Sequence, residues 1–143
     1  MKVFLLLFVS FLSTLVVAQS TLSSVPNPKS NGNGYVSNPD GIVTADDAGL
    51  IDNICAQIEQ EDSFQVPFVI LNSSGSEVPK DFAGQLFNKW GVGHAGRDDG
   101  LLVLFVMDQR RIEFETGYGT ETVLTDYECV QLQQEYMVPY FRD

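Results

Sequence analysis

Residues 91–119 read GVGHAGRDDGLLVLFVMDQRRIEFETGYG, and this stretch decides the fold. The unbroken apolar run Leu101–Met107 is typical of a strand buried at the centre of a sheet. The run Arg111–Thr116 alternates between apolar and charged side chains, as expected of a strand with one polar face. Asp108–Gln109 predicts a tight turn between the two runs. The pattern therefore predicts an antiparallel β-hairpin.

The hairpin brings acidic residues together at one end of the sheet. Its expected register places Glu115 opposite Leu102, close to where the loop of Asp98 and Asp99 enters the sheet. Carboxylates this close repel unless they are protonated or bridged by a cation, and oxygen ligands suit Ca²⁺ or Mg²⁺. The spacing predicts a divalent-cation site of Asp98, Asp99 and Glu115. The alternative is a solvated acidic loop whose aspartates cap turns.

Two other residues near this end have a chemistry that the sequence leaves open. His94, the only histidine, lies in the same glycine-rich loop. It is expected to be an ordinary loop residue, and a general base is the alternative. Tyr118, between two glycines, is either an aromatic at the rim of a site or a packing residue.

Three predicted helices and one further strand surround the hairpin. The helices are predicted over Thr44–Gln60, Pro79–Trp90 and Thr125–Val138, and a short buried strand over Val66–Leu71. Thr44 with Asp47 is expected to cap the first helix, and Thr125 with Glu128 to form a capping box at the third. Apolar side chains at helical spacing are expected to pack inward: in the first helix Leu50, Ile51, Ile54, Cys55 and Ile58, and in the third Val130, Leu132, Tyr136 and Met137. Helices alternating with strands predict an α/β sandwich.

The first residues have the layout of a secretory signal. Lys2 precedes the apolar run Val3–Val17, which is shorter than the ~20 residues that span a bilayer. We therefore expect residues 1–18 to be a signal peptide, with an uncleaved N-terminal anchor as the alternative. Residues 19–34 are rich in Ser, Pro, Asn and Gly and predict a flexible leader with little to bury. One domain is expected over residues 35–143, with no transmembrane segment in the mature chain, and the protein is expected to be secreted or extracytoplasmic.

Export bears on three further positions. In an oxidising compartment Cys55 and Cys129 either form a disulfide or remain two separate buried thiols, and the sequence does not choose between these states. Asn72–Ser74 matches the acceptor triplet for N-glycosylation in a eukaryotic secretory pathway.

The charge balance excludes some classes of partner. The chain has 8 Lys and Arg against 19 Asp and Glu, and a formal net charge of −11. Nucleic-acid binding needs clustered basic residues, so nucleic acid is excluded as a partner. An anionic membrane surface is disfavoured for the same reason. A cationic partner or a divalent metal ion remains compatible with this charge.

Four blocks of sequence, in this order, resemble the TPM domain family, and the similarity covers roughly residues 25–143. The blocks are Tyr35–Ile42 (YVSNPDGI), Leu86–Gly93 (LFNKWGVG), Arg97–Leu104 (RDDGLLVL) and Arg111–Glu121 (RIEFETGYGTE). The resemblance implies an α/β/α sandwich around a small mixed central sheet. One departure concerns Asn38, where the family often has Asp.

The resemblance also implies functional properties. Family members are exported or membrane-tethered, and some bind divalent cations near an acidic loop. The resemblance implies that this loop corresponds to Asp98 and Asp99 here, together with the strand carboxylate of Glu115. Family domains usually continue through a further helix, sometimes to a membrane anchor. The resemblance therefore implies a chain truncated at Asp143 and a protein that could be tethered to a membrane.

Two functions follow as hypotheses. The first is an exported, non-catalytic interaction or assembly module that binds Ca²⁺ or Mg²⁺ and recruits a protein partner, such as a membrane protein. The second, implied by a thylakoid member of the family, is a metal-assisted acid phosphatase that hydrolyses phosphate monoesters. In that hypothesis Arg97 would steady the phosphate. Family membership does not carry activity by itself, so the first hypothesis is preferred.

Overall fold

A mixed four-stranded sheet forms the centre of the domain. The computed structural model describes residues 20–32 and 34–141, so the predicted signal peptide, residues 1–18, lies outside the described part of the chain. Within that part, no helix combines the length and the apolar character needed to cross a membrane.

The predicted order of helix, strand, helix, hairpin and helix is present in the described part of the chain, together with a strand at residues 36–37 and a short helix at residues 118–121 that were not predicted. The strands are β1 (Val36–Ser37), β2 (Phe68–Leu71), β3 (Leu101–Val106) and β4 (Arg111–Thr116), and they lie in that order in the sheet. β1, β2 and β3 are parallel, and β4 is antiparallel to β3. The helices are α1 (Ala45–Glu61), α2 (Pro79–Trp90), α3 (Tyr118–Glu121) and α4 (Asp126–Leu132).

The β3–β4 hairpin has the predicted register. Leu102 pairs with Glu115, and the N–H of Arg110 donates to the carbonyl of Met107 at 3.1 Å. This hydrogen bond closes the turn around Asp108–Gln109. The register matters for function because it sets which side chains meet where β4 ends.

Helix α2 covers one face of the sheet. Its side chains Phe82 and Leu86 are fully buried against the apolar side chains of β2 and β3. Pro79 suits the first turn of this helix because proline has no N–H to leave unpaired. Val25 of the leader is buried in the same layer. The expectation that residues 19–34 have little to bury is therefore wrong at Val25.

Helices α1 and α4 cover the other face, but the buried stripe of α1 is narrower than predicted. Ile51, Cys55 and Ile58 face the sheet, whereas Leu50 and Ile54 are 62% and 56% exposed. The reason is helical geometry. Ile51, Cys55 and Ile58 are spaced by four and three residues and therefore lie on one side of the helix, whereas the residue before each of the first two, Leu50 or Ile54, is rotated by about 100° away from that side. Thr44 caps this helix as predicted, accepting a hydrogen bond from the N–H of Asp47.

The third predicted helix is correct at its start and wrong in its length. Thr125 forms the predicted capping box with Glu128, but α4 ends at Leu132. A π-helical turn (Gln133–Met137) and a 3₁₀ turn (Val138–Phe141) follow. Pro139 has no N–H to donate and its ring clashes with the carbonyl of the residue four positions earlier, so the last turns before it cannot keep α-helical geometry. Of the apolar side chains expected to pack inward, only Met137 contacts the core; three are exposed, namely Val130, Leu132 and Tyr136.

These layers form the expected α/β/α sandwich with a small mixed central sheet. Cys55 and Cys129 are both buried in the layer under α1 and α4 and are free thiols. Burial raises the pKa of Cys55 to about 11, and the charge of Asp52 adds to this effect. Burial also raises the pKa of Cys129, so both thiols are protonated at neutral pH.

Candidate functional site

The glycine-rich loop before β3 is joined to the segment after β4 by backbone hydrogen bonds. The N–H of Gly117 donates to the carbonyl of Gly100 at 2.9 Å, and the N–H of Gly119 donates to the carbonyl of Asp98 at 3.0 Å. The buried hydroxyl of Thr120 also donates to the carbonyl of Gly100, at 2.8 Å. These bonds hold the loop against α3, so side chains from both segments share one surface.

The closeness of the two backbones explains the glycines of the Gly117–Gly119 run. A Cβ atom at Gly117 would lie 2.2 Å from the carbonyl oxygen of Asp98, and one at Gly119 would lie 2.0 Å from that of Arg97. Any side chain at either position would push the loop away. The GYG sequence therefore serves the contact between the loop and α3.

A cleft of about 320 Å³ opens beside this junction. Its walls combine carboxylates with apolar and aromatic side chains, and they are formed by Phe87, Asn88, Val92, Asp98, Glu115, Thr116, Gly117, Tyr118 and Glu121. The Tyr118 side chain is 81% exposed, which settles its role as a rim aromatic rather than a packing residue. Asp98 has a φ of +52°, a left-handed conformation that Asp tolerates better than most residues.

The carboxylate of Glu115 lies over helix α2. Its Oε2 accepts a hydrogen bond from Nζ of Lys80 at 2.8 Å, and a Cβ atom at Gly84 would lie 3.8 and 3.9 Å from its two oxygens. The cleft thus carries three carboxylates, on Asp98, Glu115 and Glu121, against one neighbouring ammonium group. Its charge favours a cation as the ligand.

Asp99 does not line this cleft. It is 5% exposed, and its Oδ1 accepts hydrogen bonds from the backbone N–H of His94 at 2.7 Å and from Nδ1 of His94 at 2.9 Å. Its Oδ2 lies 2.8 Å from Nε of Arg97. That contact is an ion pair without the alignment of a hydrogen bond, since Oδ2 has no hydrogen-bond partner among the described residues. Asp99 therefore anchors the loop from inside.

A second carboxylate continues this anchor into the rest of the fold. Glu59, on α1, lies 3.2 Å from Nε2 of His94 through its Oε1. Its Oε2 accepts a hydrogen bond from Nζ of Lys29 at 2.6 Å and another from the hydroxyl of Tyr35. Both ring nitrogens of His94 are thus directed at carboxylates rather than at the cleft. This placement supports His94 as a structural loop residue and gives no support to the general-base alternative.

The two anchoring carboxylates have lowered pKa values. Burial alone would raise the pKa of Asp99, but the hydrogen bonds from His94, with the charges of His94 and Arg97, outweigh burial and lower it. For Glu59 burial likewise acts to raise the pKa, and the hydrogen bonds from Lys29 and Tyr35 lower it on balance. Burial and the contact with Glu59 raise the pKa of Tyr35.

These lowered values predict acid destabilisation. In the unfolded chain Asp and Glu titrate near pH 3.9 and 4.3, so the stability from Asp99 and Glu59 is present above those values and is lost as the pH falls through the lower folded ones. The melting temperature should therefore fall steeply below about pH 4. Asp99→Asn should flatten that fall, and Asp98→Asn should leave it unchanged. Equal slopes for wild type and Asp99→Asn would contradict this assignment.

Of the three predicted ligands, the structure places Asp98 and Glu115 in one cleft and Asp99 outside it. Glu121 is a third cleft carboxylate that the predicted ligand set does not contain. It is the last residue of α3, a short helix that the sequence did not predict. Across residues 20–32 and 34–141, no three His, Cys, Asp or Glu side chains lie close enough together to enclose one metal ion.

Comparison with known proteins agrees with this fold. A family model described as the TPM domain matches residues 36–143. The solution NMR structure of the N-terminal domain of a protein from P. gingivalis superposes with a TM-score of 0.81 and 30% sequence identity, over 88% of this chain and 81% of that chain. The N-terminal domain of a protein from Corynebacterium glutamicum superposes with a TM-score of 0.57 and 19% identity, over 87% and 78% respectively, a likeness of fold alone. No curated protein matches the chain.

Proposed function

Because this chain belongs to the TPM domain family, we propose that it is a non-catalytic interaction module whose cleft holds Ca²⁺ or Mg²⁺. The observation that carries the proposal is the cleft that Asp98, Glu115 and Glu121 line together with the exposed Tyr118. Carboxylate oxygens are the ligands that these hard cations prefer. The proposal includes export through the predicted signal peptide, residues 1–18.

The ligand set fits a weak, open cation site. Asp98 and Glu115 supply carboxylates from two segments, and Glu121 and the amide of Asn88 add oxygen atoms in the same wall. Since no three carboxylates among the described residues enclose one ion, water or a partner would complete the coordination. Open sites of this kind have dissociation constants of about 0.1–1 mM.

The side chains that line the cleft favour binding without turnover. Its walls supply carboxylates, an amide, a threonine hydroxyl and a tyrosine hydroxyl. Arg97, which the phosphatase hypothesis assigns to the phosphate, has its Nε paired with Asp99, and His94 lies between Glu59 and Asp99. No contact in the described residues favours the phosphatase alternative, which stays a prediction of the sequence.

The partner that suits this surface is a protein with a basic segment. A net charge of −11 attracts such a segment at long range. At short range, Tyr118 offers an exposed ring for stacking with a cationic side chain. A membrane protein that places a basic segment against the cleft would provide both the long-range attraction and the contact with Tyr118.

Thermal stability with added cation tests the proposal. A ligand that binds only the folded state at ten times its dissociation constant adds about 1.4 kcal/mol, so Ca²⁺ should raise the melting temperature of the wild type by roughly 5 °C. Asp98→Asn and Glu115→Gln should abolish most of this rise. Glu61→Gln makes the same charge change at an exposed position on α1 and should keep it.

Phosphate release from a generic monoester, measured on the same samples with and without metal, tests the non-catalytic part. We expect no turnover above the rate of the buffer. Metal-dependent turnover that is lost in Asp98→Ala would overturn that part. An unchanged melting temperature with both cations would overturn the cation site.

A further inference from the structure

The turn after β2 presents a candidate modification site that the proposed function does not use. We propose that Asn72 is the acceptor of an N-linked oligosaccharide, added while the chain enters a eukaryotic secretory pathway. Residues Asn72–Ser74 form the Asn-x-Ser acceptor triplet. The proposal rests on export through residues 1–18 and is independent of the cation cleft.

The backbone at Asn72 is fixed, and its side chain is exposed. The N–H of Asn72 donates to Oδ2 of Asp40 at 2.7 Å, and its carbonyl accepts from the N–H of Asp108 at 2.9 Å. Both bonds use main-chain atoms of Asn72. The side-chain amide takes part in neither bond, so an attached sugar would not disturb them.

The third residue of the triplet sets the time of modification. Ser74 is buried; its hydroxyl donates to the carbonyl of Glu77 at 2.9 Å and accepts from Nε2 of Gln109 at 3.2 Å. An enzyme that reads this hydroxyl cannot reach it in the folded protein. Modification must therefore precede closure of the turn, as it does when an enzyme acts on the chain during translocation.

The glycan would leave the cleft open. Asn72 follows Leu71, which pairs with Val106 at the hairpin-turn end of β3. Glu115 of the cleft pairs with Leu102 at the other end. These pairs are four residue steps apart along β3, or about 13 Å. A sugar at Asn72 therefore projects from the end of the sheet opposite to the cleft.

The reaction needs one co-reactant, a sugar chain carried on a lipid pyrophosphate. Nδ2 of Asn72 forms a bond to C1 of the first sugar while the bond between C1 and the pyrophosphate oxygen breaks. The lipid pyrophosphate leaves with that electron pair, and the amide nitrogen loses one proton. No oxidant or reductant takes part, and the amide remains an amide.

Cell-free translation of the full 143-residue chain with endoplasmic-reticulum microsomes tests the proposal. We expect a product of lower gel mobility that returns to the unmodified position after treatment with peptide N-glycosidase. Asn72→Gln, at an exposed position, should abolish the shifted product. Ser74→Thr keeps the triplet and a hydroxyl, so it should keep the shift.

Two outcomes overturn the proposal. The first is a wild-type product with the mobility of Asn72→Gln, whether or not the microsomes protect it from protease. The second is a shifted product that persists in Asn72→Gln, since it would place the sugar elsewhere. Neither outcome bears on the cation site, which is measured on unmodified protein.

Discussion

Gly119→Ala should lower the free energy of unfolding by about 3 kcal/mol, since overpacking of this severity falls at the upper end of the usual range. The added Cβ would lie 2.0 Å from the carbonyl oxygen of Arg97 and 3.0 Å from that of Asp98. Both neighbours are backbone atoms, so neither can rotate away. Relief requires the loop to leave α3, which breaks the hydrogen bond from Gly119 to Asp98. Denaturation by urea, monitored by circular dichroism, measures the loss.

Gly49→Ala is the matched control. Gly49 lies inside α1, and a Cβ there meets nothing within 4 Å. Because alanine is the better helix former, this substitution should raise stability by about 0.8 kcal/mol. We thus expect the same chemical change to lower the free energy of unfolding at Gly119 and to raise it at Gly49. Equal effects, or a neutral Gly119→Ala, would show that the loop and α3 are not in contact as described.

Asp99→Asn should cost about 2 kcal/mol, the range for hydrogen bonds to a charged group, whereas Asp98→Asn should change stability by less than about 0.5 kcal/mol. The buried carboxylate of Asp99 accepts two hydrogen bonds from His94 and pairs with Arg97. An amide offers one acceptor oxygen and brings N–H donors towards other donors. Asp98 is exposed, and Asn tolerates its left-handed backbone equally well.

Cation binding should show the reverse order for these two neighbours. Asp98→Asn should weaken Ca²⁺ binding by at least about tenfold, or 1.4 kcal/mol, because it removes a charge from the cleft. Asp99→Asn should retain binding at a temperature where it remains folded. Calorimetric titration of both variants measures this. If Asp99→Asn lost binding while folded and Asp98→Asn kept it, the assignment of the cleft would be wrong.

The sequence predicted the hairpin and the meeting of its ends because that information is local. The tight turn at Asp108–Gln109 sets the register, and the register alone places Glu115 near Asp98. The separation of Asp98 from Asp99 could not be predicted in this way. It depends on the positive φ of Asp98 and on Glu59, a partner remote in sequence that holds His94. Neither feature can be recognised from the residues that neighbour Asp98 and Asp99 in the sequence.

The starts of the helices could likewise be predicted from local sequence, whereas their buried faces could not. The starts of α1 and α4 were predictable from Thr44 and Thr125, because a capping residue acts within one turn. The exposed Leu50 and Tyr136 were not, since apolar character does not say which face meets the sheet. The burial of Val25 depends on tertiary contact with the layer under α2, to which no periodic pattern points.

An NMR titration of the amide signals with Ca²⁺ tests the central claim most directly, because it locates the bound ion. We expect saturable shifts, up to about 10 mM Ca²⁺, that are largest for Asp98 and for Gly117–Glu121 and that disappear in Asp98→Asn. Signals of His94 and Glu59 should move little. No saturable shift up to that concentration, or largest shifts around Glu59 and His94, would contradict a cation site in the Asp98–Glu115 cleft.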